Sequence, residues 1–338
     1  MRINRQEFLA TLQAVSAGLA TSRETIEQSS CFIFKDERVW SYNQELACSA
    51  PSPLSGIVGD CAVAGVPLMS QLEKWAEDEV GITVADGCLQ LTGHNRKAGI
   101  RREAEIQLPI SDVEAPGKWK RLPEDFAEAV AICQQCVSRD DQIGFTLSCL
   151  HVHPEWLESC DQFQIARYPL TLPISGPTLI RRDSSKHLVK LEMKGISETP
   201  RWLHFKNKSG IVLSCRRYLD QFPDLSQMLE VEGNAASLPK GLIECLDKAS
   251  VFSSQNADGD QVEIQMRKGK LKLRSDGASG WYEEIKKIIY DGEPIRFMIA
   301  PKVLAELCKN HDQCILSAER LKIDAKKFTY VTCLSAAK

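Results

Sequence analysis

The chain has 338 residues, enough for two or three domains of roughly 100–200 residues each. Its 43% hydrophobic and 26% charged residues are ordinary for a globular protein, and no run approaches the roughly 20 apolar residues of a membrane helix. A net charge of −3 argues against a uniformly basic nucleic-acid coat but leaves open a basic surface on one face.

Arg5–Val15 reads as the first helix, with Phe8, Leu9, Leu12 and Val15 on one face. Residues 31–34 and 39–42 flank a turn and alternate with period two, as a half-buried antiparallel hairpin does. A further strand, a helix over 67–77 and a hairpin of 82–84 with 89–91 follow.

The same order then recurs twice. A helix over 123–137 (Phe126, Val130, Ile132, Cys133) precedes a hairpin of 149–152 with 156–159. After it, 159–162 forms a polar corner and the next strand carries Phe163, Ile165 and Tyr168. A helix over 183–194, stopped by Gly195, leads to a hairpin of 202–205 with 211–213. In the third copy the helices are 239–249 and 301–310, and the hairpins 262–266 with 270–274 and 314–316 with 321–323. Leu122-Pro123 and Leu238-Pro239 place proline where a first helical turn tolerates it.

A period of a third of the chain is far longer than the roughly 20–50 residues of a solenoid repeat. The fold class is therefore α+β, with three tandem domains of two helices packed on antiparallel sheets. Their expected limits are 1–112, 113–230 and 231–338, at polar segments punctuated by Gly or Pro.

Met1-Arg2-Ile3-Asn4-Arg5-Gln6-Glu7 is too polar for a signal-peptide core, which points to a cytoplasmic protein. The thirteen cysteines are odd in number and scattered, so reduced, mostly buried thiols are expected.

Three tandem units of this order resemble the bacterial DNA polymerase III beta subunit, the sliding clamp. The resemblance covers essentially the whole chain. It is most specific at Cys160 to Leu170, at Phe222-Pro223-Asp224, and in the terminal strand Thr329-Tyr330-Val331-Thr332-Cys333-Leu334. The family has a threonine-aspartate-glycine-histidine-arginine-leucine-alanine run at the first point and phenylalanine-proline-aspartate at the second. This sequence departs from it with Phe163-Gln164-Ile165, with Gln227 where an arginine is common, and with a tail that lacks an apolar, methionine-rich end.

The resemblance implies a non-catalytic processivity factor without cofactor or metal. It implies a head-to-tail homodimer closing as a ring around double-stranded DNA, placed by a clamp loader and tethering the replicative polymerase. Partner peptides would enter a cleft walled by Leu147, Cys160, Phe163, Ile165, Pro223, Met228, Val331, Cys333 and Leu334. The dimer contact would use the first domain's last strand (Ile100, Ile106, Leu108) against Val251 and Phe252, although the latter two could equally serve their own core.

Lys186, Lys190 and Lys194 fall at four-residue intervals, one stripe on a helix, with Arg181 and Arg182 just before it. Such a stripe is an ordinary solvated face or, within three repeats, part of a phosphate-contacting surface. Lys74, Lys248 and Lys302 extend it on other helices. By resemblance, Arg23 and the 141–145 loop with Phe145 touch duplex DNA at the rim.

Two rival readings remain. Cys133-Gln134-Gln135-Cys136, followed by Cys149, His151, His153 and Cys160, has the look of a zinc or thiol-redox site without a knuckle-type turn to frame it. A clamp-like scaffold that does not encircle DNA would keep the same sequence pattern. Enzymatic readings lack support, since no phosphate-binding glycine loop, glycine-flanked nucleophilic serine or HExxH motif is present, and Asp161, Asp224 and Asp258 are turn residues.

Overall fold

The computed structural model describes residues 1–20, 26–54, 56–142, 144–253, 260–309 and 311–336. Arg23, Ile143 and Asp258 lie outside them. The elements come in three repeats of one order: strand, helix, four strands, helix, three strands.

The first repeat is β1 (Arg2–Asn4), α1 (Arg5–Val15), β2 (Cys31–Lys35), β3 (Arg38–Tyr42), β4 (Leu46–Pro51), β5 (Cys61–Ala64), α2 (Gly65–Lys74), β6 (Glu79–Ala85), β7 (Cys88–Thr92) and β8 (Lys97–Glu103). The second is β9 (Lys120–Arg121), α3 (Phe126–Gln134), β10 (Cys149–Val152), β11 (Trp156–Cys160), β12 (Gln164–Pro169), β13 (Thr178–Arg181), α4 (Arg182–Lys190), β14 (Gly195–Glu198), β15 (Trp202–Lys206) and β16 (Val212–Arg216). A short α5 (Ser226–Leu229) follows. The third is β17 (Asn234–Ser237), α6 (Leu242–Ser253), β18 (Val262–Arg267), β19 (Lys270–Gly277), β20 (Gly280–Lys287), β21 (Ile295–Ile299), α7 (Pro301–Cys308), β22 (Gln313–Leu316), β23 (Arg320–Asp324) and β24 (Thr329–Cys333), with β25 (Ser335–Ala336) at the end.

The chain divides into two compact units that cut across these repeats: Met1–Leu157 with Leu170–Gln221, and Glu158–Pro169 with Phe222–Lys338. In the first unit a sheet runs β1-β6-β7-β8-β5-β2-β3-β4-β16-β15-β14-β9. Its join is the antiparallel ladder from Val212↔Ser49 to Cys215↔Leu46, which pairs a strand of the first repeat with one of the second. Glu45, just before β4, extends the join: its carbonyl accepts from Arg216 N at 2.8 Å, and its carboxylate from the Tyr218 hydroxyl at 2.6–2.7 Å. At the opposite end of the same ladder, the Arg38 guanidinium donates to Ser49 O at 3.1 Å and Gly210 O at 2.9 Å.

Apolar faces fix the helices against these sheets. In α1, capped by Asn4, residues Phe8, Leu12 and Val15 are buried. Trp202 and Tyr42 centre a cluster with Ile33, Ala62 and Leu108, and Phe126 stacks on Phe205 at 5.6 Å. The two helices of each repeat pack together.

His204 on β15 is fully buried in the first unit. Thr199 Oγ1 donates to Trp202 O, so the His204 Nε2–H donates to Thr199 Oγ1 at 3.1 Å and Ser214 Oγ donates to Nδ1 at 2.8 Å. A neutral ring suits both bonds, and burial pushes its pKa down to about 4.

The second unit holds the ladder β12-β24-β23-β22-β17 and a sheet in the order β20-β19-β18-β21-β25. Tyr168 stacks near Phe328 at 6.4 Å, and Phe297, Leu246 and Ile264 are buried. No helix among the described residues is long and apolar enough to cross a membrane.

Every expected helix but Arg5–Val15 has shifted bounds: α2 spans Gly65–Lys74, α6 Leu242–Ser253 and α7 Pro301–Cys308, and the second repeat differs as follows. The second repeat's first helix is confined to Phe126–Gln134. Its partner α4 ends at Lys190, because Glu192 takes a left-handed φ of 49° that a helix cannot continue through. Gly195 is not the stop; it begins β14, and Lys194 lies beyond the helix.

Candidate functional site

Within the second unit, residues 160–165 turn a corner built by one carboxylate. Asp161 Oδ1 accepts from the backbone N–H groups of Phe163 and Gln164, both at 2.7 Å, and Asp161 N donates to Gln164 O at 3.1 Å. Burial raises the Asp161 pKa, and the backbone donors oppose that rise. The consequence is positional: the corner turns Phe163 outward, 63% exposed, while Ile165 and Ala166 turn in.

Gln164 to Arg167 pair with Thr332 to Thr329 on β24, and Cys333 N extends the ladder to Phe163 O at 2.7 Å. The Tyr330 hydroxyl donates to Gln164 Oε1. Arg167 pairs with buried Glu158 at 2.7 Å.

The α5 turn packs on β24. Asp224 Oδ1 accepts from Ser226 N at 2.9 Å and fixes the turn, Leu225 and Leu229 are buried, and Met228 is 48% exposed. Of the nine expected wall residues, eight belong to this unit. Cys160, Ile165, Val331 and Leu334 are buried beneath, and Phe163, Pro223, Met228 and Cys333 are exposed. Leu147 belongs to the first unit, half-buried in the 3-10 turn Thr146–Ser148. The strand pair thus carries an apolar floor with two large adaptable side chains in solvent, a surface able to grip a peptide's apolar anchors.

The expected phosphate-contacting residues divide into two kinds. Lys74, Lys186, Lys190, Lys194, Lys248 and Lys302 are exposed. Lys186 shares its charge with Asp183 at 3.0 Å. His187, between Lys186 and Lys190, is pushed down to about 4 by burial and then by those neighbours, so at neutral pH it adds no charge to the stripe.

The two arginines are more committed. Arg181 bonds Asp141 at 2.9 Å and Ser148 Oγ at 2.5 Å, and lies 5.3 Å from the centre of the Phe145 ring. Burial alone would lower its pKa, and the Asp141 bond outweighs that and raises it. Arg182 is within 3.9 Å of Asp183. Phe145 is 37% exposed and packs edge-on against Tyr218 at 4.7 Å.

The first repeat's last strand, expected to reach Leu108, is shorter. β8 ends at Glu103, and the segment beyond it folds inward: Leu108 is 2% exposed and Ile106 packs on the Trp202 cluster. Gln28 Oε1 holds this segment by accepting from Gln107 N and Leu108 N. Ile100 is also buried, opposite Leu89. In the second unit Phe252 lies against Gly280, where a Cβ would come within 3.2 Å of its ring, while Val251 is 59% exposed.

A second exposed apolar surface lies on β20. Strand β20 ends its sheet, and Trp281 and Ile285 on one face of it are 61% and 59% exposed. Their even spacing was the available signal, obscured by the acidic and basic residues between them.

The cysteines and histidines do not assemble. Cys133 Sγ donates to Leu157 O, Cys149 Sγ to Phe145 O, and His153 stacks on Trp156 at 3.6 Å. Burial pushes the Cys149 and Cys160 thiols up to about 12. Among the described residues no three His, Cys, Asp or Glu side chains gather around a metal position.

No family model matches the chain, and no curated protein matches it by sequence. Solved structures do. A sliding clamp (DNA polymerase III subunit beta) from Bartonella birtlesii, bound to griselimycin, matches with a TM-score of 0.85 at 17% identity, over 100% of this chain and 99% of that one. Its counterpart from Pseudomonas aeruginosa gives 0.83 at 16% identity, over 100% and 99%. The DNA polymerase III beta subunit of Thermotoga maritima gives 0.83 at 14%, over 100% and 99%. Along its whole length the chain has the fold of the bacterial sliding clamps.

Proposed function

We propose that the chain is a DNA polymerase processivity factor, a non-catalytic cytoplasmic sliding clamp whose repeats act as three domains (1–112, 113–230, 231–338). The observation that carries this reading is the pattern of strand pairing. The third of the four strands between one repeat's helices pairs with the last strand of the next repeat: β4 with β16, and β12 with β24. By the same rule β20 is left to pair with β8 of another copy, along Lys97–Arg101, since Arg102 and Glu103 already pair with β5. A head-to-tail contact of that kind closes into a ring when its rotation allows, and it covers an otherwise exposed edge. Trp281, Ile285 and Val251 would lie in that contact.

Exposed Lys74, Lys186, Lys190, Lys248 and Lys302 would meet duplex phosphates without reading bases, as sliding over every sequence requires. Phe163 and Met228 would hold the peptide motifs of the replicative polymerase and the clamp loader. Topological retention tests the reading: loaded protein stays on closed circular DNA and is lost when the circle is cut. Equal retention on both forms leaves only a clamp-fold scaffold.

A further inference from the structure

Where the first unit's sheet ends, β9, β14 and β15 lie side by side and build a groove of about 360 Å³. Its lining is cationic and contains no carboxylate. Register sets Arg121, Gly195 and Lys206 in one row across the three strands. A Cβ at Gly195 would come within 3.0 Å of Lys206 Cγ and 3.1 Å of Lys206 Cε, so the Lys206 stem lies across the glycine in the space a side chain there would take.

The charges differ in how far they are compensated. Arg121 pairs with Glu124 at 3.1 Å, and Lys120 Nζ donates to Pro173 O at 2.9 Å. Among the described residues no carboxylate pairs with Lys194, Lys206 or Lys208. Lys206 Nζ stands 4.6 Å from the centre of the half-buried Trp119 ring. Gathering like charges in one groove is unfavourable, and a ligand bearing several negative charges relieves it. The indole beside them narrows the ligand further. Lysines that track a phosphate backbone next to an aromatic ring are how proteins hold unpaired strands, whose bases offer open faces, whereas a duplex keeps those faces inside its stack.

We propose that this groove binds a single-stranded nucleic-acid segment, with backbone phosphates on Lys194, Lys206 and Lys208 and one base on Trp119. Lys194, which the sequence placed on the helix stripe, belongs here because α4 ends before it. Neither a ring nor a second copy enters this inference, so it stands apart from the clamp reading.

Fluorescence anisotropy of the full-length protein with a labelled oligothymidylate of about 12 nucleotides, in about 50 mM salt, tests it. Wild type is expected to bind. The Lys194→Ala/Lys206→Ala/Lys208→Ala variant should lower the slope of log K against log salt by about 2, at roughly 0.7 per lost contact. Trp119→Ala keeps every charge and should weaken binding about tenfold while removing any preference over an abasic strand. Absence of binding by the wild type, an unchanged salt slope in the triple variant, or equal competition by duplex DNA would each overturn the proposal.

Discussion

Strands β4 and β20 occupy the same place in the first and third repeats, and they differ in almost every side chain. β4 is Leu-Ala-Cys-Ser-Ala-Pro, buried through Ala50 and paired on both sides. β20 is Gly-Trp-Tyr-Glu-Glu-Ile-Lys-Lys, and among the described residues it pairs with β19 alone, leaving its other edge open. Small residues let β4 be covered on both faces and both edges. On β20 large apolar residues alternate with charged ones, and Glu283 is bonded to Lys272 at 2.9 Å and Arg274 at 3.3 Å. A chain selected only to be a stable monomer would blunt such an edge with charge alone. On β20 the charge is interrupted by Trp281 and Ile285, 61% and 59% exposed.

Four experiments break or sharpen that contrast. The largest effect is expected on the covered side, where Ala166 in β12 is fully buried beside β24. Ala166→Asp should cost about 3 kcal/mol or more, because an unpaired charge is sealed in, read as a lower denaturation midpoint. On the open side, Trp281→Asp with Ile285→Asp should abolish self-association in native mass spectrometry while leaving the denaturation midpoint of the monomer nearly unchanged. A loss of folding there would mean the edge is ordinary core.

The third is a pH series. His204 and His187 both have folded pKa values near 4 against an ordinary 6.5, so the unfolded chain takes up their protons first as pH falls. Stability should therefore be level above pH 6.5, decline between 6.5 and 4, and stop declining on this account below 4. His204→Gln should make that decline shallower by at most about 1.4 kcal/mol per pH unit; an unaltered slope would show that His204 is not the titrating group. Smallest is Phe163→Ala, expected to weaken a polymerase-derived peptide about tenfold with no change in thermal midpoint. Met228→Glu should remove that binding altogether, and intact affinity would place the peptide elsewhere.

Periodicity in the sequence located nearly every element, because each face of each strand and helix has a distinct burial requirement. Arg5–Val15 matches residue for residue, since Asn4 caps it and Val15 is its last buried position. Ends governed by backbone conformation were less legible: nothing in the letters of Glu192 announces a positive φ. Ile106 and Leu108 read as interface residues; that their segment folds onto its own unit rests on Gln28, some 80 residues earlier in the chain, which accepts from Gln107 N and Leu108 N. The Phe163 corner was visible through Asp161, whose side chain acts over three residues. The Trp119 groove was not, because its lysines are brought together by sheet register from segments far apart in sequence.

The pins at the two ends of the β4–β16 ladder bear on how this unit answers a mechanical load. A force directed across the strands peels such a ladder one bond at a time from an end, so resistance is set where peeling starts. One end is held by Glu45 through Arg216 and Tyr218, the other by Arg38 through Gly210. With both starting points fastened, this ladder is held against peeling at either end.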